Sequence, residues 1–171
     1  GRANMVWDEV RQRFALGRFG WKANAPNLIQ QTAGAYNGDM GITSALFPLE
    51  SCDGQYPECE RHAPEVDDLT VANVALYTRT LGVPARRDLQ NPVTARGELM
   101  FYVANCDGCH TPTLQTGVLP GVPEVSNQKI HPYTDLLVHD MGPALADGRP
   151  DFQASGSEWK TPPLWGIGLV P

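Results

Sequence analysis

No apolar run in the 171-residue chain approaches the roughly 20 residues that a membrane-spanning helix needs, so no such span is expected. Positive charge is in short supply. Lys and Arg number 13 against 19 Asp and Glu, a formal net charge of −6. A surface of that sign argues against nucleic acid as a partner and suits small molecules or a basic protein. The sequence has no internal repeat and no low-complexity tract, which leaves no ground for a repeat architecture. Cysteine and histidine are rare, four of each, so any cluster of them asks for a reason. Against these shortages stands an apolar fraction of 42%, enough for a packed core, together with 17 Gly and 15 Pro. That is a globular, loop-rich composition rather than a disordered one, and the length fits one domain or two small ones. The opening GRANMVWDEV has neither an initiator Met nor a signal peptide, and WGIGLVP stops in loop- or strand-like sequence. The chain is therefore expected to be a piece of a longer protein.

Three helices are expected. Residues 26–37 (PNLIQQTAGAYN) begin with Pro26, which suits a first turn, and Leu28 and Gln31 share a face with Ala35. Over 67–81, Asp67 or Asp68 can cap, and Val71, Val74, Leu76, Tyr77 and Leu81 make an apolar stripe. Gly82 and Pro84 end it. Over 92–103, Asn91 can cap and Pro92 fits the first helical position. Gly97 inside that helix costs about 1 kcal/mol against Ala, which points to close approach by another helix. Residues 44–64 carry Pro48, Pro57 and Pro64 with no clear period and read as loop. Residues 84–92 (PARRDLQNP) read as a linker and the best domain boundary. From 111 onward loop is expected, with a short helix near 133–139.

The chemistry concentrates in ANCDGCHTP, residues 104–112. Cysteines at i and i+3 project from one helical turn, so Cys106 and Cys109 can both form thioethers to one porphyrin. The adjacent His110 then supplies an axial nitrogen to the iron; C-x-x-C-H is the attachment pattern of c-type haem. Two other readings compete. A thioredoxin-like pair would sit at a helix start after a strand, whereas this one follows a helix. A structural zinc site needs four ligands, and only three are local.

Several blocks together resemble one family: GRFGWKANAPNLIQQTAGAYNGDMGITSALFP, ALYTRTLGVPARRD, CDGCHTPT, IHPYTDLLVHDMGPALADGRPDF and WKTPPLWGIGL. They are similar to the bacterial di-haem oxidoreductases of peroxidase type, some of them called thiol oxidoreductases. Through these they resemble the di-haem cytochrome c peroxidases and the methylamine-utilisation di-haem enzyme. The resemblance implies a mainly α, loop-rich fragment of a two-domain di-haem protein. Residues 1–90 would be the C-terminal part of the first haem domain, and 91–171 a second, cytochrome c-like domain carrying CxxCH. In the first helix of such a domain, a Gly and an aromatic residue (Gly97 and Phe101 here) pack on the terminal helix. One haem c would be bound covalently in this chain and a second would lie upstream. A calcium ion between the domains is also implied. Carried over residue by residue, the resemblance places Trp21 between the haems, Gln31 in the reactive pocket and Asp39-Met40 at an acidic-Met pair, with Asp where the peroxidases have Glu. Trp165-Gly166 departs from the Arg-Asn of the peroxidase pattern.

Splitting a peroxide O–O bond needs an open iron, a proton shuttle and electrons. Asp39 could move the proton, Gln31 could hydrogen-bond the bound oxygen, and Trp21 could pass electrons between haems. The bland readings are a core aromatic for Trp21, a surface helix residue for Gln31 and a turn former for Asp39. Met141, His139, His131 and Met100 are the candidates for the iron's second axial ligand in this chain, Met/His ligation raising the reduction potential, while the resemblance implies a distal ligand that follows the TPPLWGIGL block, beyond Pro171. His139 reads better as an anchor or propionate neighbour, and His131 and His62 as surface residues. Cys52 and Cys59 lie in a Pro-rich loop; a disulfide is expected there in an oxidising compartment, a reactive dithiol being the other reading. The expected protein is a periplasmic haem oxidoreductase of the di-haem peroxidase type. It would take electrons from a small donor, a cytochrome or copper protein, and use peroxide or another small oxidant. The alternative is an electron-transfer cytochrome c without substrate chemistry.

Overall fold

The computed structural model describes residues 1–50 and 63–169. Cys52, Cys59 and His62, with the expectations attached to them, lie outside the described residues. Two strands open the chain, β1 (Met5–Asp8) and β2 (Arg13–Leu16), paired antiparallel as a hairpin. Trp7 and Phe14 face each other across it, ring centroids 5.4 Å apart, a cross-strand aromatic pair that fixes register. Helix α1 (Leu28–Met40) follows, then α2 (Asp68–Thr80) and α3 (Pro92–Val103). Beyond α3 come a 3₁₀ turn at Cys106–Gly108 and four short strands: β3 (Leu114–Gln115), β4 (Lys129–Ile130), β5 (Val138–Asp140) and β6 (Glu158–Lys160). They pair as β3–β4 and β5–β6.

The expected mainly α class is overturned. Three helices share the described residues with three antiparallel two-stranded sheets and long connections, so the fold is a small, mixed, loop-rich one. The reason is local. Helical periodicity stops at Val103, and the Gly- and Pro-rich stretch after it forms hairpins and 3₁₀ turns. The short helix expected near 133–139 does not form. Tyr133 and Leu136 take φ of 55° and 61°, left-handed values that break a helix, and Val138 starts a strand.

The helices themselves fall close to expectation. Helix α1 starts two residues later than expected, after Pro26, with Asn27 as its cap, the side chain accepting from the Gln30 N–H, and it runs on to Met40. Asp67 caps α2 by accepting from the Thr70 N–H, and Asn91 caps α3 with Pro92 in its first turn. The α2 stripe is buried only in part. Val71 and Ala75 are covered, while Leu76, Tyr77 and Leu81 stay exposed. Helix α3 buries no residue, and a Cβ built on Gly97 would meet nothing within 4 Å. The close helix approach expected at Gly97 is therefore not made by the described residues.

Polar groups do much of the holding. Among the described residues nine polar side chains are buried beside eight apolar ones and two prolines, and none of the buried polar side-chain atoms lacks a partner. Contacts run between the start of the chain and residues 138–160. Arg2 pairs with Val138 through both backbone groups and with Glu158 through its guanidinium. Asn4 donates to the Lys22 and Asp151 carbonyls. The buried Lys22 ammonium donates to the carbonyls of Ser155 and Glu158 and meets Asp147 at 3.1 Å. Around Ala23, Val138 and Ala154 lies a small apolar cluster. The linker 84–92 separates α2 from α3, and these contacts bridge across it in space.

Candidate functional site

Helix α3 delivers the CxxCH segment. It ends on Asn105, whose φ of 57° turns the chain out of the helix, a conformation Asn tolerates better than most residues. The next turn is closed by the Cys109 and His110 N–H groups, both donating to the Cys106 carbonyl. Cys106, Cys109 and His110 come out half-buried on this single turn, the two sulfurs as free thiols.

A second segment, residues 133–135, clamps the turn from the side. The Thr134 N–H donates to the Thr111 carbonyl and the Asp135 N–H to the Cys109 carbonyl. Between them the Tyr133 carbonyl lies 2.8 Å from His110 Nδ1. A carbonyl only accepts, so Nδ1 carries the hydrogen and Nε2 keeps its lone pair. That is the tautomer and orientation a metal-binding imidazole needs, held by the outer hydrogen bond that such ligands usually make. Phe101 of α3 packs edge-on against the Tyr133 ring, centroids 5.5 Å apart, so helix, clamp and histidine are tied together.

His139 is engaged at both nitrogens. Its Nε2 lies 2.8 Å from Asp135 Oδ2 and its Nδ1 lies 3.4 Å from Cys109 Sγ. Both of its ring nitrogens therefore have partners within the protein. Burial pushes the Asp135 carboxyl up, but hydrogen bonds from the Leu137 N–H and from His139 outweigh it, and the net result is a carboxyl held below its usual range. His131 bonds Thr113 through Nδ1. Met141 follows β5 with half its surface exposed, and Met100 on α3 is similarly open.

The residues assigned to a reactive pocket are brought together in part. Trp21, Gln31 and Asp39 line one cavity of about 700 Å³, with Lys22, Asp147 and Trp159 among its other walls. Met40, the last residue of α1, is exposed and not part of that wall. Trp21 is not a core aromatic. Its side chain is 81% exposed, while its carbonyl accepts from the Lys160 N–H at 2.8 Å. Asp39 is helical rather than a turn former. Gly17 sets the loop that carries Trp21, because a Cβ there would fall 1.7 Å from the Ala23 carbonyl oxygen.

Tyr133, Asp135, Lys22 and Trp159 were not singled out from sequence. The first two sit inside the IHPYTDLLVHD block; Asp135 meets His139 within that block, while the contacts to His110 and Cys109 lie 23 and 26 residues away along the chain. Trp159 lies under the Lys22 ammonium at 4.0 Å, a cation–π contact that no spacing reveals. Among the described residues no group of three or more His, Cys, Asp or Glu stands ready for a metal ion, and no helix is long and apolar enough to cross a membrane.

Two thiols on one turn beside an imidazole with a free nitrogen present the donor set that the C-x-x-C-H pattern uses. The chain belongs to the family described as "Di-haem oxidoreductase, putative peroxidase", whose model matches residues 1–171. No curated protein and no solved structure matches it.

Proposed function

We propose that this chain carries a c-type haem on Cys106 and Cys109, with His110 Nε2 on the iron, in a periplasmic di-haem peroxidase-type enzyme. The observation that carries the reading is the His110 clamp: Nδ1 is spent on the Tyr133 carbonyl at 2.8 Å, so the nitrogen left free belongs to the residue beside the two thiols. When bound, the group supplies a one-electron redox centre. The protein residues do the rest. Cys106 and Cys109 fix its edge, and the 133–135 segment fixes the imidazole.

The cavity around Trp21, Gln31 and Asp39 is the second part of the proposal. The Asp39 carboxylate moves a proton between the two oxygens of a peroxide, and the Gln31 amide donates a hydrogen bond to one of them. The exposed Trp21 ring passes electrons, supplied by a small cytochrome or copper protein, toward an upstream haem.

The test is pigment on the denatured polypeptide. Full-length protein expressed with a cytochrome c maturation system should keep its haem through acid–acetone extraction and denaturing electrophoresis, and His110→Ala should lose the low-spin spectrum. A colourless denatured band from wild-type protein overturns the covalent assignment.

A further inference from the structure

Cys109 and Cys106 differ in one respect. The Cys109 sulfur lies 3.4 Å from His139 Nδ1, and His139 Nε2 lies 2.8 Å from Asp135 Oδ2. No side chain hydrogen-bonds the Cys106 sulfur among the described residues. The hydrogens of the first chain can be assigned. A carboxylate only accepts, so His139 Nε2 carries the ring hydrogen and Nδ1 presents a lone pair to the thiol. The arrangement is Cys109 S–H to His139 to Asp135, a nucleophile oriented by an imidazole that is oriented in turn by a carboxylate. The ring has little freedom to leave it. Asp135 is itself pinned by the Leu137 N–H, and Gly1 backs the imidazole so closely that a Cβ there would come within 2.5 Å of Nε2.

We propose that His139, held by Asp135, is the positioning residue for thioether formation at Cys109, and that Cys106 reacts without such help. The inference rests on the covalent reading above. In the reaction the S–H bond and a vinyl π bond break. A sulfur–carbon bond forms at the vinyl carbon next to the porphyrin ring, and the hydrogen, drawn off along the line to Nδ1, ends on the outer vinyl carbon. No electron is gained or lost, so no oxidant or reductant is consumed. By accepting from the thiol hydrogen, His139 turns the sulfur's remaining lone pairs away from itself and toward the incoming vinyl group.

The measurement is the state of each sulfur in full-length protein matured in the same cells: wild type, His139→Ala, His139→Gln and Asp135→Asn. Free thiols are alkylated after denaturation and peptides are weighed by mass spectrometry, while the pyridine haemochrome spectrum reports any vinyl group left unsaturated. Wild type should carry a thioether at both Cys106 and Cys109. In His139→Ala the rate at which the Cys109 thioether appears in early maturation samples should fall about 100-fold, at the low end of what a positioned acid–base group contributes. The Cys106 thioether should stay at wild-type occupancy. His139→Gln, which keeps an acceptor, should recover part of the Cys109 bond, and Asp135→Asn should fall between. Equal occupancy of both sulfurs in His139→Ala overturns the proposal, and so does equal loss from both with no rescue by Gln, the pattern of a merely structural residue. A wild-type protein with no thioether removes the covalent reading itself, which separates the two failures.

Discussion

Asp39 and Trp21 test the pocket without touching the CxxCH turn. Asp39 is exposed in the last turn of α1, and Trp21 projects from a loop whose backbone is fixed at Gly17 and at the Lys160 N–H. Neither change empties the core, so effects on folding should stay within about 0.5 kcal/mol. Asp39→Ala is expected to slow peroxide reduction about 100-fold or more, the contribution of a positioned proton shuttle, with haem content unchanged. Trp21→Phe is expected to keep peroxide binding and slow electron transfer between the haems in stopped-flow traces. Wild-type turnover in the first variant discards the proton role, and wild-type kinetics in the second discard the electron path.

At the scale of elements, the β5–β6 hairpin is joined to the N-terminal segment by the Arg2–Val138 backbone pair and by an ion pair. Arg2 Nε donates to Glu158 Oε1 at 2.6 Å, and Glu158 also accepts from the Ser155 N–H. The guanidinium is the main reason that the Glu158 carboxyl is lowered to about 2, against the opposing effect of burial. A carboxyl depressed in the folded state stabilises fully above its unfolded value, here 4.5, and that contribution disappears as pH falls toward about 2. Arg2 is 46% exposed, so after allowance for solvent screening the pair contributes about 1 kcal/mol. Urea midpoints should therefore fall between pH 4.5 and 2 more steeply in wild type than in Arg2→Ala; parallel curves would show that the pair contributes nothing. Such long-range ties also explain what the sequence revealed and what it hid. The three helices were legible because caps and prolines are local signals, and CxxCH was legible because its chemistry lies within five residues. The hairpins were not, since strands of two to four residues are too short for alternation to register. The His110–Tyr133 and Cys109–His139 contacts were hidden because they join segments 23 and 30 residues apart through loop geometry alone.

The whole molecule is unevenly packed, and that unevenness has a measurable consequence. Helix α1 buries Gln30 and Ala33 and packs on α2, which buries Val71 and Ala75. Gln30 also ties α1 to the hairpin, accepting from the Glu9 N–H and donating to the Trp7 carbonyl, and Asp8 at the hairpin's end accepts from the Asn27 side-chain amide. Helix α3 has no such support. Among the described residues it buries nothing, Val93, Leu99 and Val103 are exposed, and its contacts to other segments include only a few side chains, such as Phe101 on Tyr133 and Glu98 on Arg86. A helix of 12 residues is marginal on its own in water, so its opening free energy should lie near the low end of the range that local unfolding spans. In hydrogen exchange on the haem-free full-length protein, α3 amides should exchange at least tenfold faster than those of α1. Haem attachment ties the turn after α3 at three residues, Cys106, Cys109 and His110, and so should protect α3 selectively while leaving α1 nearly unchanged. Equal protection of the two helices before attachment would mean that α3 is held by contacts outside residues 1–50 and 63–169, and would remove the argument that its order depends on the haem site.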